Sequence, residues 1–286
     1  DIEDEEAVKP GYSFSTPTIA RLHNGHWAVV TGNGYENGAS DGKAALYILD
    51  AVTGQLTKSL EVSGTEGVAN GLSSPVLADY NADGIADYAY AGDLQGNLWR
   101  FDLIPTLNTD ADGDGALDDT APLATSTLGT VAADNFKVAY GGKPMFQAKA
   151  GGSATSPVQP ITAAPSLIRH PSGVGYLVVF GTGKFFETDD KEGVKTHAQS
   201  VYGIWDTKTR AEPTSVFTIK RPEPTDTTGQ LVKQKIEQEL TGSYTQGGTN
   251  PARTITTNAV DWVDANGNIQ RYGWYLDLAV DETQFE

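Results

Sequence analysis

The stretch DYNADGIAD, Asp79 to Asp87, carries acidic or amide side chains at its first, third, fifth and ninth positions, with a glycine after the fifth. Three carboxylates in so short a loop repel one another unless a cation offsets them. Calcium takes about 6–8 oxygen ligands and tolerates irregular geometry, which suits such a set. In a tight loop alternate side chains point inward, so positions one, three and five fall on one side, and position seven offers a carbonyl. The predicted ligands are Asp79, Asn81, Asp83, the carbonyl of Ile85, and Asp87. Gly84 allows the sharp turn. An EF-hand would set a glutamate at position twelve and follow it with a helix. Here Tyr90 holds position twelve and strand-like YAYAG follows.

A second match lies at DADGDGALD. Asp110, Asp112, Asp114, the carbonyl of Ala116, and Asp118 repeat the spacing, with Gly115 after position five. This loop sits in a stretch rich in Thr, Gly, Ala and Pro, where an acidic linker is the alternative reading. Calcium is the expectation at both loops.

The elements that position these loops are short β-branched and aromatic runs separated by Gly, Asn, Asp and Pro, the pattern of an all-β chain. They repeat. SFSTPTIARL leads to WAVVTGNG and ALYILDAVTG; GLSSPVLADY leads to DYAYAGDLQG and NLWRFDL; PITAAPSLIR leads to YLVVFGTGK and SVYGIWDTKT. Pro17, Pro75 and Pro165 precede Gly32, Gly92 and Gly181 by 15, 17 and 16 residues. Asp50, Asp102 and Asp206 close the third run of each unit, and Asp277 in GWYLDL marks a fourth unit. QLTKSLEV offers a fourth strand to the first unit. Repeated small antiparallel sheets packed face to face describe a β-propeller, whose radial order hides most strand edges. Closing a ring needs more units than four, so either a partial ring or further degenerate blades are expected, as a single domain or domain segment over 1–286. Residues 104–160 and 207–256 read as inserted loops. Within the latter, GQLVKQKIEQEL carries some helical period, but LVKQKI alternates and reads as strand.

Composition narrows the function. The chain has 286 residues with 38% hydrophobic, 32 glycines and 14 prolines, a globular and turn-rich composition. Its net charge of −17 argues against nucleic-acid partners and anionic lipid surfaces. No cysteine is present, which excludes disulfide and thiol chemistry. No apolar run reaches the roughly 18 residues of a membrane span. His23, His26, His170 and His197 have no metal-ligand or triad spacing, and His23 and His26 flank an Asn-Gly turn, which predicts exposed loop histidines. GTGK and GNG lack the context of a phosphate loop. Trp27, Trp99, Trp205, Trp262 and Trp274 lie in strand-like blocks, which predicts packing between blades.

Taken in succession, GYSFSTPTIARLHNGHWAVVTGNGY, SSPVLADYNADGIADYAYAGDLQGNLWRFDL, ITAAPSLIRHP, YLVVFGTGKFFE, VYGIWD and RYGWYLDL resemble the C-terminal propeller of the PilY1/PilC family. These are tip-associated adhesins and assembly factors of bacterial type IV pili. The resemblance covers nearly the whole chain. It implies a modified quinoprotein-like propeller and a calcium loop, mapping onto Asp79, Asn81, Asp83, Ile85 and Asp87, that regulates pilus extension and retraction. It further implies pilins or minor pilins as partners, a host or surface receptor, export through the periplasm, and a place at the cell surface without membrane insertion. The loop at 110–118 is not part of what the resemblance implies.

Two rivals remain. A quinoprotein dehydrogenase shares the propeller type, but such enzymes usually pair a quinone with neighbouring cysteines, and this chain has none. An integrin-like adhesin carries calcium loops in several blades, whereas RLHNGHW and RHPSGVG stand at the matching turns here, without acids.

Overall fold

In the computed structural model, residues 8–35, 41–104, 131–188, 190, 197–207, 218–222, 229–240 and 252–278 are described below. Three blade sheets, antiparallel except for one edge strand of the third, follow one another along the chain. The first runs β1 (Thr18–Arg21), β2 (Trp27–Gly32), β3 (Ala44–Asp50) and β4 (Leu56–Val62) in simple meander order. The second runs β5 (Val76–Ala78), β6 (Tyr88–Gly92) and β7 (Asn97–Asp102); two short strands, β8 (Lys137–Val138) and β9 (Phe146–Gln147), both pair with β7. The third contains β10 (Ser166–Arg169), β11 (Tyr176–Gly181) and β12 (Ser200–Asp206). It is extended by β13 (Leu231–Gln234) and completed by β16 (Gly273–Asp277), while β14 (Ile236–Leu240) and β15 (Ala252–Ile255) form a separate hairpin. The first strands of neighbouring sheets approach one another, β1 beside β5 and β5 beside β10, so the sheets form an open arc of blades.

The repeat landmarks mark equivalent places. Pro17, Pro75 and Pro165 each directly precede the first strand of a sheet, where a missing N–H costs no ladder bond. Gly32, Gly92 and Gly181 end the second strands, and Asp50, Asp102 and Asp206 end the third. At Gly32 two blades touch closely: a Cβ there would lie 2.3 Å from the Leu72 carbonyl oxygen.

The middle sheet is buried on both faces, and period-two alternation decides which neighbour each side chain meets. Ala89, Ala91, Trp99 and Phe101 pack with Val30, Leu46 and Ile48 of the first sheet. Tyr88, Tyr90 and Leu98 pack with Val178, Phe180, Tyr202 and Ile204 of the third. Arg100 follows the same alternation into the second interface, where it is 1% exposed and reaches Asp206 at 3.0 Å and Asp102 at 2.9 Å. Tyr90 and Tyr140 also donate to Asp206, at 2.7 and 2.6 Å. Burial pushes both phenols well up, so they stay protonated donors; it works against the Arg100 charge too, but Asp102 and Asp206 outweigh it.

Several sequence expectations change here. GWYLDL is not the start of a fourth blade: it is β16, which pairs antiparallel with β12 and lies between β12 and β13. The stretch 229–240 does form strands. The expected inserted loops contain ordered additions: β8 and β9 extend the second sheet, and β13 runs parallel to β16 in the third. Segment 218–222 is held by Arg221, which grips Asp277 in a two-pronged pair at 2.9 and 2.6 Å. Of the tryptophans, Trp99 packs between blades, but Trp27 is 55% exposed. Trp205 and Trp262 instead hold His170 within the third blade, the first by stacking at 3.9 Å and the second edge-on. Trp274 covers Gly203, where any side chain would strike the indole. Among the described residues no helix is long and apolar enough to cross a membrane.

Candidate calcium-binding loop

The loop 79–87 joins β5 to β6, and its ends are tied where the Asp87 amide donates to the Ala78 carbonyl at 2.8 Å. Inside it, side-chain oxygens organise the backbone. Asp79 Oδ2 accepts from the Gly84 amide at 2.7 Å and Oδ1 from the Asp83 amide at 3.1 Å. Asn81 Oδ1 accepts from the Asp83 amide at 3.1 Å, and Asp83 Oδ1 from the Ile85 amide at 2.8 Å. The Asn81 amide group donates to Asp83 Oδ2 at 3.0 Å. Positions one, three and five thus share one turn. Gly84 sits at φ +85° with open space around it, so glycine is needed there for its dihedral and not for room. Ala82 takes φ +62°, which costs about 1 kcal/mol or more in a residue with a Cβ.

Position nine is placed differently. Asp87 is fully buried, its Oδ2 accepting from the Tyr80 amide at 2.6 Å and its Oδ1 lying 2.8 Å from His23 Nε2. His23 is also fully buried, on the β1–β2 turn of the first sheet. The expectation of an exposed loop histidine is therefore wrong for His23. His26 across the same turn is exposed and sits 3.3 Å from Asp50. Nothing in RLHNGHW signals this burial; it follows from the pairing of Leu22 with Ala86, which docks the turn on the loop.

The third sheet holds the loop from the other side. Tyr176 donates its hydroxyl to the Asp79 carbonyl at 3.0 Å, and the Gly175 amide donates to the Tyr80 hydroxyl at 3.2 Å. Arg169 donates to the Tyr80 carbonyl and lies 4.0 Å above the Tyr80 ring. Burial pushes the Tyr176 phenol up, the Arg169 charge opposing, which keeps the hydroxyl a donor.

Three carboxylates, an amide oxygen and a carbonyl form a hard donor set suited to calcium and unsuited to softer metals. The turn built on Asp79 agrees with that set. Asp87 is the departure, because His23 and the Tyr80 amide already engage its carboxylate. Among the described residues no three His, Asp or Glu side chains converge as a metal-holding group. Asp110, Asp112, Asp114, Ala116 and Asp118 lie outside the described residues.

Comparison with known proteins decides the family. The model of the PilY1 beta-propeller domain matches residues 2–247. The chain belongs to the PilY1 β-propeller family. A type IV pilus biogenesis factor PilY1 of Pseudomonas aeruginosa is 47% identical over 276 residues, which cover 96% of this chain and 22% of that protein. A PilY1 homolog of Xylella fastidiosa is 28% identical over 94% of this chain and 15% of its own. The crystal structure of the P. aeruginosa PilY1 C-terminal domain superposes with a TM-score of 0.77 at 45% identity, over 98% of this chain and 53% of that one. The chain thus spans about half of that solved PilY1 domain and less than a quarter of the P. aeruginosa relative.

Proposed function

We propose that this chain is the calcium-binding propeller segment of a type IV pilus tip-associated protein at the bacterial cell surface. It acts in pilus biogenesis, in calcium-regulated extension and retraction, and in surface adhesion, with pilins or minor pilins as partners. The observation that carries the reading is the 47% identity to a pilus biogenesis factor across 96% of this chain. The relatives are named as biogenesis factors, and the reading assigns no catalytic step.

The regulatory part rests on the loop at 79–87. A bound calcium ion would supply the charge that offsets the loop carboxylates. Without an offset, each repulsion among Asp79, Asp83 and Asp87 costs about 1 kcal/mol or more. Asp79, Asn81 and Asp83 would hold the ion from the turn, with the Ile85 carbonyl and Asp87 completing the set. Order in the loop is order at the ends of β5 and β6, and a partner resting on the blade senses it through them.

Asp83 is exposed and outside the core, so it is the residue to change. Asp83→Ala removes a ligand; Asp83→Lys puts an ammonium near the ion's place and mimics occupancy. Calcium calorimetry and twitching motility of bacteria carrying each variant are the measurements. The expected result is lost calcium binding by Asp83→Ala and opposite effects of the two variants on pilus retraction. Equal calcium affinity in the wild type and Asp83→Ala overturns the metal assignment, and unchanged motility in both overturns the regulatory role.

A further inference from the structure

We propose that the loop 79–87 is a clasp between three blades, with His23 and Tyr176 as positioning residues that set its affinity for calcium. The inference rests on the calcium reading above and goes beyond it. That reading makes the loop a local element of the second blade; the contacts make it a junction.

Each end of the loop is held by a different neighbour. On the first-blade side, the Ala86 amide donates to the Arg21 carbonyl at 3.0 Å, Leu22 pairs with Ala86, and His23 meets the Asp87 carboxylate. On the third-blade side, Tyr176 and Arg169 bind the carbonyls of Asp79 and Tyr80, and the Tyr80 ring lies edge-on to Tyr176 at 5.7 Å. The residues between them, Ala82, Asp83 and Gly84, are exposed, and the Asp83 and Gly84 amides donate within the loop.

A carboxylate oxygen only accepts, so His23 Nε2 is the donor, and a fully buried donor on a fully buried acid fixes the direction in which Asp87 points. A hydrogen-bond partner behind a metal-binding carboxylate orients it, and removing such a partner weakens binding by about 10–100-fold. The same contact works in reverse. If the packing of the β1–β2 turn sets cation affinity, an occupied loop must tighten that turn by the same free energy. The cation then registers as closer attachment of the first and third blades to the second, a change far larger in extent than one loop.

The test combines calcium calorimetry with amide hydrogen exchange on the wild type and on His23→Ala, His23→Gln, Tyr176→Phe and Asp83→Ala. His23→Ala should bind calcium about tenfold more weakly. His23→Gln, which keeps an N–H donor, should regain part of that loss, and Tyr176→Phe, which keeps the ring, should show a smaller one. Calcium should slow exchange of the Leu22 and Gly25 amides in the first blade and the Gly175 amide in the third in the wild type, but not in Asp83→Ala. If Asp83→Ala loses calcium while the His23 and Tyr176 variants keep wild-type affinity, the clasp is wrong and the calcium reading stands. The same holds if calcium protects only the loop. If Asp83→Ala binds as the wild type does, the calcium reading itself fails. Should His23→Ala not fold, His23→Gln and Tyr176→Phe decide the matter through the same two readouts.

Discussion

At the scale of single residues, the buried charges carry the largest consequences. Arg100 is in direct contact with both Asp102 and Asp206, and all three are nearly solvent-free. Arg100→Leu should cost about 3–5 kcal/mol, because it takes the arginine's charge away from two buried carboxylates. Urea titration would measure this as a lower midpoint at unchanged slope. Tyr140→Phe removes one donor from Asp206 and keeps the ring packed, so a loss of about 1–3 kcal/mol is expected in the same titration. An equal loss from both changes would mean that the arginine's charge contributes nothing beyond a single hydrogen bond.

Among elements, the close approaches between strands and the tethering of added segments are what matter. Gly32 ends β2 with the Leu72 and Ser73 carbonyls 2.3 and 2.4 Å from where a Cβ would stand. Backbone atoms cannot rotate away, so Gly32→Ala should push the first two blades apart at a cost of about 1–3 kcal/mol. A thermal midpoint equal to that of the wild type would refute it. Arg221 is the only described tie of its kind between segment 218–222 and the end of β16. Arg221→Ala leaves Asp277 with the Ser200 hydroxyl at 2.6 Å and Lys233 at 4.0 Å, and should make the segment 218–222 the first site of limited proteolysis.

For the whole molecule the expected signature is cation-dependent stability. A ligand that binds the folded state alone adds RT ln(1 + [L]/Kd), about 2.7 kcal/mol at a hundredfold excess over Kd. Thermal unfolding in rising calcium should therefore climb and keep climbing logarithmically, while magnesium, which demands tighter octahedral geometry, should do less. Chelation should return the midpoint to its starting value, and a midpoint indifferent to calcium would leave the loop with no effect on the fold. The net charge of −17 adds a salt-dependent background, so ionic strength must be held constant across the series.

The amino-acid sequence alone determined what depends on local chemistry. Alternation marked the strands, the Pro-to-Gly spacing marked equivalent places in successive blades, and the loop's acids and glycine marked the tight turn that Asp79, Asn81 and Asp83 organise, with Gly84 left-handed. Tertiary structure decided whatever depends on which surfaces meet. His23 reads as a loop histidine because its neighbours in the chain are turn residues, yet it is buried because a loop 64 residues away closes over it. GWYLDL has the look of a new blade, but its partner strand is β12, and strand pairing between distant segments leaves no trace in local periodicity. The four repeated aspartates look alike along the chain. Asp50 caps its own turn, Asp102 and Asp206 share Arg100, and Asp277 holds Arg221. Which cation each one meets is set by packing between sheets, and packing is a property of the folded whole.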